Sequence, residues 1–304
     1  MKNTQPKVSV IIAAYQSGGY IKRCLRSLQN QRFKDFETIV VNSSQESETA
    51  EAVSAFPGIC FHQHSERLLP HAARNQGAAM AKGGLLVFTD ADCKADPGWL
   101  EALVRCHEQG YVYICGSIET ESPRWVSKAI HLLKYSPYLY RRRAGAIRIA
   151  ATGNMSVTRQ AWQTVGPFDG TVFSGDALLS WKAKRAGIDP WFEPLAIVYD
   201  QDEEYRKNFL PERYRRGMEY GRLRAGFGRW NKMTLAVRTL IMPLALLSAL
   251  LTMASNCQKA GRLADFVWTL PFLTVAQAAW CIGEARAFMQ LLLTTRRHAQ
   301  NRPE

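Results

Sequence analysis

The first ninety residues alternate β-branched runs with amphipathic stretches, and this alternation restricts the fold more than any other feature of the chain. The run "VSVIIAAY" (Val8 to Tyr15) precedes a segment in which apolar Ile21, Leu25 and Leu28 recur at helical spacing. A second run, "FETIVVNSS" (Phe36 to Ser44), precedes the helix-like "SETAEAVSAF". The pattern predicts strand, helix, strand and helix in that order.

The same order continues to a fourth strand. "ICFHQHS" predicts a third short strand, and "HAARNQGAAMAKG" (His71 to Gly83) predicts an alanine-rich helix that a glycine stops. "LLVFTDAD" then predicts a fourth strand, which ends in two aspartates. The order βαβαβαβ is typical of a doubly wound sheet that binds ligands at the carboxyl ends of its strands.

The last hundred residues have a different character. Residues 205–232 carry nine Lys or Arg against two Glu, and apolar Leu210, Tyr214 and Met218 recur at intervals of four. This pattern predicts a basic amphipathic element suited to a lipid interface.

Two uncharged runs follow, Thr239 to Gln258 and Phe266 to Gly283. Each is about long enough to cross the hydrocarbon core of a bilayer, which takes about 20 residues. Because both runs contain proline and amide side chains, buried helices of a soluble protein are the alternative. Basic residues flank the pair on its outer sides, which predicts that both chain ends lie in the cytoplasm.

The formal net charge of +13 predicts an anionic partner, and nucleic acid, nucleotide phosphates and acidic membranes all meet that description. Nucleic acid is disfavoured because much of the basic excess lies beside the apolar tail and no nucleic-acid-binding signature is visible. The first turn, "YQSGGY", lacks the G-x-G-x-x-G of dinucleotide enzymes. Seven cysteines without a C-x-x-C pair argue against a disulfide framework and favour a reducing compartment.

The two aspartates at the end of the fourth strand are the main chemical signal. Asp90 and Asp92 repel each other unless a cation lies between them or they keep their protons. Oxygen-only ligation suits Mg²⁺ or Mn²⁺, which complete their coordination shells with substrate phosphates. Without further context, an acidic loop after a strand is the alternative.

The context is a resemblance to the family 2 glycosyltransferases of the GT-A fold. Five blocks carry it in order: "VSVIIAAYQSGGYIKRCLRSLQNQ", "FETIVVNSS", "ARNQGAAMAKGGLLVFTDAD", "TGNMSVTRQAWQTVGPFD" and "SGDALLSWKAKRAG". The resemblance implies an α/β fold, a Rossmann-like mixed sheet flanked by helices, with a C-terminal hydrophobic helical region. It implies a nucleotide-sugar-binding half over residues 1–120, an acceptor-side half over 121–204, and the basic element with two membrane helices over 205–304.

The resemblance also implies the donor-site residues. Tyr15 would lie near the base, Asn42 would contact the nucleoside where the family has an aspartate, and Arg74 would lie on the nucleotide side. Asp90 would contact the ribose and the metal, and Asp92 would bind the metal directly. Tyr15 as a core tyrosine and Arg74 as a helix-surface charge are the structural alternatives.

On the acceptor side, Asn154 would line the site near the donor phosphates, with a turn asparagine as its alternative. Asp176 would be the general base, although an N-cap role is also open to it. Gly175 stands where the family has the first acid of a pair. The family often supplies a further histidine ligand to the metal, whereas this chain has Asp200 and Asp202 in that region and no histidine.

The function expected from the resemblance is inverting, metal-dependent sugar transfer. The donor would be a nucleotide-diphospho-sugar, a UDP-sugar in the first instance, and the acceptor a lipid or lipid-linked glycan at a membrane. The catalytic domain is expected on the cytoplasmic side. The alternative is a catalytically inactive scaffold of the same fold, which the replacements at Asn42 and Gly175 favour.

Overall fold

The computed structural model describes residues 5–201 and 208–300, with side chains up to residue 293. The chain forms two compact units. We call Met1–Ser122 with Tyr138–Gln201 the sheet unit, and Pro123–Pro137 with Asp202–Glu304 the helical unit. The helical unit therefore includes a segment that the resemblance assigned to the acceptor-side half.

The strands are β1 Val8–Ala14, β2 Phe36–Asn42, β3 Cys60–Gln63, β4 Leu85–Asp90, β5 Cys93–Ala95, β6 Tyr113–Thr120, β7 Gly145–Ala146, β8 Asn154–Thr158 and β9 Trp191–Asp200. The helices are α1 Ile21–Gln29, α2 Glu48–Ser54, α3 Pro70–Met80, α4 Trp99–Glu108, α5 Trp125–Tyr135, α6 Arg159–Val165, α7 Gly175–Arg185, α8 Phe209–Phe227, α9 Lys232–Leu240, α10 Met242–Lys259 and α11 Leu263–Gln300. The four strands and three helices expected from the first ninety residues are all present.

One mixed sheet organises the sheet unit, in the order β3-β2-β1-β4-β8-β6-β9-β5, with β7 paired to β9. The first four strands in this order are parallel, and β8 is antiparallel to both β4 and β6. The central strands β1 and β4 are mostly apolar and almost entirely buried, as expected for a sheet covered on both faces.

The register of the parallel strands brings their carboxyl ends to one edge. Ala14 pairs with Asn42 and Ala13 pairs with Asp90, so β1, β2 and β4 end side by side. Tyr15 follows directly after β1. The sheet alone therefore places Tyr15, Asn42 and Asp90 on the same rim.

Among its described residues, the helical unit has one helix segment, Leu263–Leu293, that is long and apolar enough to cross a membrane. Helices α9 and α10 pass the same test together but meet at a bend of 64°. The second predicted apolar run thus lies within α11. The first predicted run begins in α9 and continues through α10 after the bend at Ile241, so it is not one straight helix.

Within the helical unit, α8 approaches α11 through glycine. A Cβ on Gly217 would lie 2.3 Å from the carbonyl oxygen of Trp280, and one on Gly283 would lie 2.2 Å from that of Tyr214. On α8 the buried Gly217 faces α11, whereas Leu210 of the predicted apolar stripe is exposed. The start of the predicted basic element, residues 205–207, lies outside the described residues.

Candidate active site

The end of β4 and the start of β5 bring three ligand-type side chains together. One ligand atom each from Asp90, Asp92 and Cys93 lies within 4.8 Å of the others. Cys93 is buried, and burial together with the charges of Asp92, Asp200 and Asp90 raises its pKa well above the usual value. The thiol stays protonated at neutral pH, which leaves the two carboxylates as the oxygen donors of this corner.

Gly153, in the loop before β8, packs closely against this corner. A Cβ at position 153 would lie 3.1 Å from Oδ2 of Asp90. The Gly153 carbonyl accepts a hydrogen bond from the Thr89 hydroxyl at 3.0 Å, which fixes the loop against β4. The two carboxylates of Asp90 and Asp92 are a donor set that fits Mg²⁺ or Mn²⁺.

Arg74, on α3, balances the charge of this corner. Its Nη2 donates to Oδ1 of Asp90 in an ion pair, and the arginine is only 4% exposed. The alternative of a helix-surface charge is therefore wrong, because the guanidinium points into the protein. A buried, charge-assisted pair of this kind holds the carboxylate in one orientation.

His71, one turn before Arg74, joins the corner to the turn before α7. Its Nε2 lies 3.0 Å from the Phe173 carbonyl oxygen, and its Nδ1 lies 3.3 Å from Nη1 of Arg74. Burial and the charge of Arg74 lower the pKa of His71 to about 3. The imidazole is therefore neutral at physiological pH.

Asp176 lies in the first turn of α7, where the helix dipole favours a charged carboxylate. Its Oδ1 accepts from the backbone N–H of Ala177 at 2.8 Å, and the side chain is partly exposed. Gly175 before it is buried, and a Cβ there would lie 2.7 Å from Cδ2 of His71. At position 175, where the family has the first acid of a pair, this chain has a glycine, and the imidazole of His71 packs directly against it.

Asn154 is fully buried in the sheet unit, where its amide forms three hydrogen bonds. Nδ2 donates to the carbonyl oxygens of Ser117 at 2.8 Å and Ala196 at 2.7 Å, and Oδ1 accepts from Nε1 of Trp99 at 2.8 Å. Both amide hydrogens are used inside the protein. This geometry favours a structural role for the side chain, and a donor contact from it stays a prediction.

Asn42 is also fully buried, within a polar network at the end of β2. Its Nδ2 donates to Oε1 of Gln63 at 2.8 Å, and its Oδ1 accepts from the Ser44 hydroxyl at 2.7 Å. The Ser44 hydroxyl is also 2.7 Å from Oε1 of Glu46, which accepts from the Thr49 hydroxyl at 2.6 Å. Through the Ser44 hydroxyl, this network links Asn42 to the carboxylate of Glu46. The sequence did not single out Glu46.

Tyr15 is partly buried rather than a core residue, and the guanidinium of Arg67 lies 4.5 Å from its ring centroid. Arg67 is another residue that the sequence did not reveal, because 52 positions separate the two partners. A tyrosine face beside an arginine is a surface that can receive a nucleobase.

The region of the expected third metal ligand is only partly described. Asp200 is buried at the end of β9, and its backbone pairs with that of Cys93. Asp202 lies outside the described residues. The structure thus brings one further acid to the neighbourhood of the Asp90 and Asp92 corner.

Comparison with known proteins gives a consistent result. The family profile described as Glycosyl transferase family 2 matches residues 9–166, more than half of the chain. Glycosyltransferase AglE of Haloferax volcanii is 28% identical over 200 residues, which cover 63% of this chain and 66% of that protein. The GalNAc(5)-diNAcBac-PP-undecaprenol beta-1,3-glucosyltransferase of Campylobacter jejuni is 27% identical over 40% of this chain and 41% of that protein. The chain thus spans less than two thirds of the length of each relative.

Solved structures of similar shape are glycosyltransferases as well. The mannosyltransferase PcManGT from Pyrobaculum calidifontis, in complex with GDP-Man and Mn²⁺, has a TM-score of 0.56 at 16% identity, covering 88% of this chain and 87% of that one. GalNAc-T7 with UDP, GalNAc and Mn²⁺ has a TM-score of 0.56 at 16% identity, covering 73% of this chain and 48% of that one. At these identities the likeness shows the fold alone, and it confirms the predicted GT-A architecture.

Proposed function

The chain belongs to glycosyl transferase family 2, and we propose that it transfers a sugar, with inversion, from a nucleotide-diphosphate donor to an acceptor presented at a membrane. The observation that carries the proposal is the juxtaposition of Asp90, Asp92 and buried Arg74 at the carboxyl ends of the parallel strands. That edge is where open α/β sheets bind their ligands.

The donor end of the site would be formed by residues of β1, β4 and α3. Asp90 and Asp92 would hold Mg²⁺ or Mn²⁺, and when bound the cation supplies positive charge to the departing diphosphate. Arg74 would hold Asp90 in place through their ion pair. Tyr15, with Arg67 over its ring, would receive the base. A UDP-sugar is the proposed donor, and the similar structures with Mn²⁺ and a GDP-sugar or UDP support a nucleotide donor in general.

Asp176 would accept the proton of the acceptor hydroxyl. Its place in the first turn of α7 favours the ionised form, and its partial exposure leaves room for an acceptor. Attack on the face of the sugar opposite the leaving diphosphate, in one displacement, inverts the anomeric carbon.

The proposed membrane acceptor rests on the helical unit. Large apolar side chains on α9, α10 and α11 are exposed, among them Leu240 at 79% and Trp268 at 76%. On α10, exposed Leu244, Leu247 and Leu251 recur at helical spacing, and an exposed apolar face of this kind marks a membrane or protein interaction site. The Campylobacter jejuni relative is named for an undecaprenol-linked substrate, which supports a lipid-linked acceptor here. Basic flanking residues favour a catalytic unit on the cytoplasmic side.

The test is turnover by the purified full-length protein in detergent. UDP-, GDP- and dTDP-sugars with Mg²⁺ or Mn²⁺ are assayed for release of nucleoside diphosphate, and the anomeric configuration of any product is read by NMR. We expect release with one nucleotide class, lost in Asp92→Ala. Asp96→Ala is the matched control, because Asp96 is on the same segment and its Oδ1 accepts from the Gly98 N–H in a turn.

A catalytically inactive scaffold is the second candidate, and the replacements at Asn42 and Gly175 favour it. Donor consumption that disappears in Asp176→Asn would exclude the scaffold. A folded wild-type protein that releases no diphosphate from any donor, with acceptor lipids present, would favour it.

A further inference from the structure

A buried histidine lies between the two halves of the proposed site. We propose that His71 is a positioning residue that ties the donor-side Arg74 to the turn carrying Asp176. This inference rests on the proposed function, since that function gives Arg74 and Asp176 their roles. It concerns a residue that would touch neither the donor nor the acceptor.

The two hydrogen bonds of His71 fix its tautomer. The Phe173 carbonyl can only accept, so Nε2 carries the hydrogen and donates to it at 3.0 Å. The Arg74 guanidinium can only donate, so Nδ1 offers its lone pair to Nη1 at 3.3 Å. Both ring nitrogens are thereby used, each toward a different part of the site.

Four groups form a continuous chain through the site. The Asp90 carboxylate accepts from Arg74, Arg74 donates to His71, and His71 donates to the Phe173 carbonyl, three residues before Asp176. The chain thus links the end of β4 to the start of α7. A displacement of the guanidinium is transmitted to the turn through a rigid ring.

Packing holds the ring in this position. The imidazole lies 4.7 Å from the ring of Phe168, and Gly175 contributes no side chain on the side where a Cβ would lie 2.7 Å from Cδ2. The neutral state also matters, because a protonated ring would place a second cation beside Arg74 and remove the acceptor at Nδ1. The pKa of about 3 keeps this form over the physiological range.

Two conservative variants separate the two contacts. In His71→Asn the amide oxygen can replace Nδ1 as the acceptor for Arg74, while the bond to Phe173 is lost. In His71→Gln the longer side chain can donate to Phe173 in place of Nε2, while the bond to Arg74 is lost. We expect the Gln variant to raise the donor KM and the Asn variant to lower kcat, each by roughly tenfold, which is the effect of losing one hydrogen bond.

His107 supplies the matched control. It is a partly buried histidine of the sheet unit whose ring nitrogens contact the Tyr111 carbonyl at 2.7 Å and the Ser156 hydroxyl at 2.6 Å. His107→Asn and His107→Gln are expected to lower Tm, while the folded protein keeps the wild-type kcat and KM. A merely structural His71 would behave in the same way as His107.

Failure of the inference about His71 can be distinguished from failure of the proposed function. Wild-type turnover tests that function, and the split between KM and kcat in the two His71 variants tests the inference. Equal changes of kcat and KM in both variants, or no change in folded protein, would overturn it. If neither variant folds, Gly175→Ala displaces the ring while keeping both nitrogens, and an unchanged kcat in that variant overturns the inference as well.

Discussion

The sheet unit and the helical unit differ in how many of their large apolar side chains are exposed. In the sheet unit the fully buried side chains are mostly Val, Ile, Leu and aromatic residues, and the buried charge of Arg74 is paired at the strand ends. The helical unit has a small apolar core that includes Phe288, but Leu251 and Trp268 are exposed, and α8 approaches α11 at Gly217 and Gly283.

The difference supports the proposed contact of the helical unit with a membrane. In water, the hydrophobic effect drives a protein to bury its apolar surface, and the few charged groups that become buried are hydrogen-bonded or paired. Helices in lipid gain nothing from burying leucine, so they associate through small residues that let their backbones approach. The exposed Leu251 and the buried glycines of α8 and α11 follow the second rule. Glu284, 4% exposed and paired with Arg224 at 3.4 Å, is a further polar contact between these helices.

The largest expected effect concerns the chemistry of the sheet unit. Asp176→Asn keeps the shape of the side chain but removes its basicity, and we expect kcat to fall by roughly 10²- to 10⁴-fold. Binding of the donor, measured by calorimetry, is expected to stay within about threefold, because the proposed donor contacts come from other residues. A kcat within an order of magnitude of wild type would remove Asp176 from the role of base.

A second substitution tests the helical unit. Gly283→Val would place a side chain against the Tyr214 carbonyl, where a Cβ already lies at 2.2 Å, so α8 and α11 must separate. We expect a loss of about 3 kcal/mol or more in the stability of that unit, by analogy with severe overpacking. Thermal unfolding in detergent measures it.

Gly226→Val is the matched control, since a Cβ on Gly226 meets no atom within 4 Å. It is expected to change Tm little. Equal losses in the two variants would contradict the role of close approach at Gly283, because valine in place of glycine does not lower helix propensity.

The pH dependence of stability sharpens the account of the sheet unit. Burial lowers the pKa of His71 to about 3 and that of His107 to about 4, from 6.5. As the pH falls below 6.5 the unfolded chain takes up these protons first, so stability is present above that pH and is lost on acidification. The expected slope is about 1.4 kcal/mol per pH unit for each histidine.

The measurement is urea unfolding at several pH values between 4 and 6.5. His107→Gln is expected to reduce the slope of unfolding free energy against pH by the contribution of one histidine, about 1.4 kcal/mol per pH unit. An unchanged slope would mean that His107 is protonated in the folded state, contrary to its buried setting.

The smallest expected effect concerns the exposed leucines. Leu251→Ser, in α10, is expected to weaken binding of detergent-free protein to phospholipid vesicles by roughly tenfold, the value of one buried leucine side chain. Leu195→Ser, in the sheet unit at 49% exposure, is the control and is expected to leave binding unchanged. Equal binding of both variants in a flotation assay would argue against a lipid contact at Leu251.

The strands and most helices were predictable because hydrophobic periodicity is a local signal. The position of Asp90 and Asp92 was equally readable, since it follows from where an apolar run ends. The apolar stripe of α8 was predicted as a lipid-facing surface, but the pattern of apolar residues does not reveal that Gly217 is the contact with α11. Small residues buried against a backbone leave no hydrophobic signature.

The interior of the site was less predictable. The His71 bridge joins positions about a hundred residues apart in sequence, and the three bonds of Asn154 join four separate elements. Such contacts depend on the complete tertiary structure. The sequence revealed the absence of an acid at Gly175, and the structure adds what occupies the space, the ring of His71.

The most direct test of the account is metal-dependent binding of a nucleoside diphosphate, followed by calorimetry with and without Mn²⁺. We expect UDP to bind the wild-type protein at least about tenfold more tightly with Mn²⁺ than without it, and Asp92→Asn to lose this difference. The same Mn²⁺ dependence in folded Asp92→Asn protein, or none in the wild type with UDP, GDP or dTDP, would contradict the proposed metal and diphosphate site at Asp90 and Asp92.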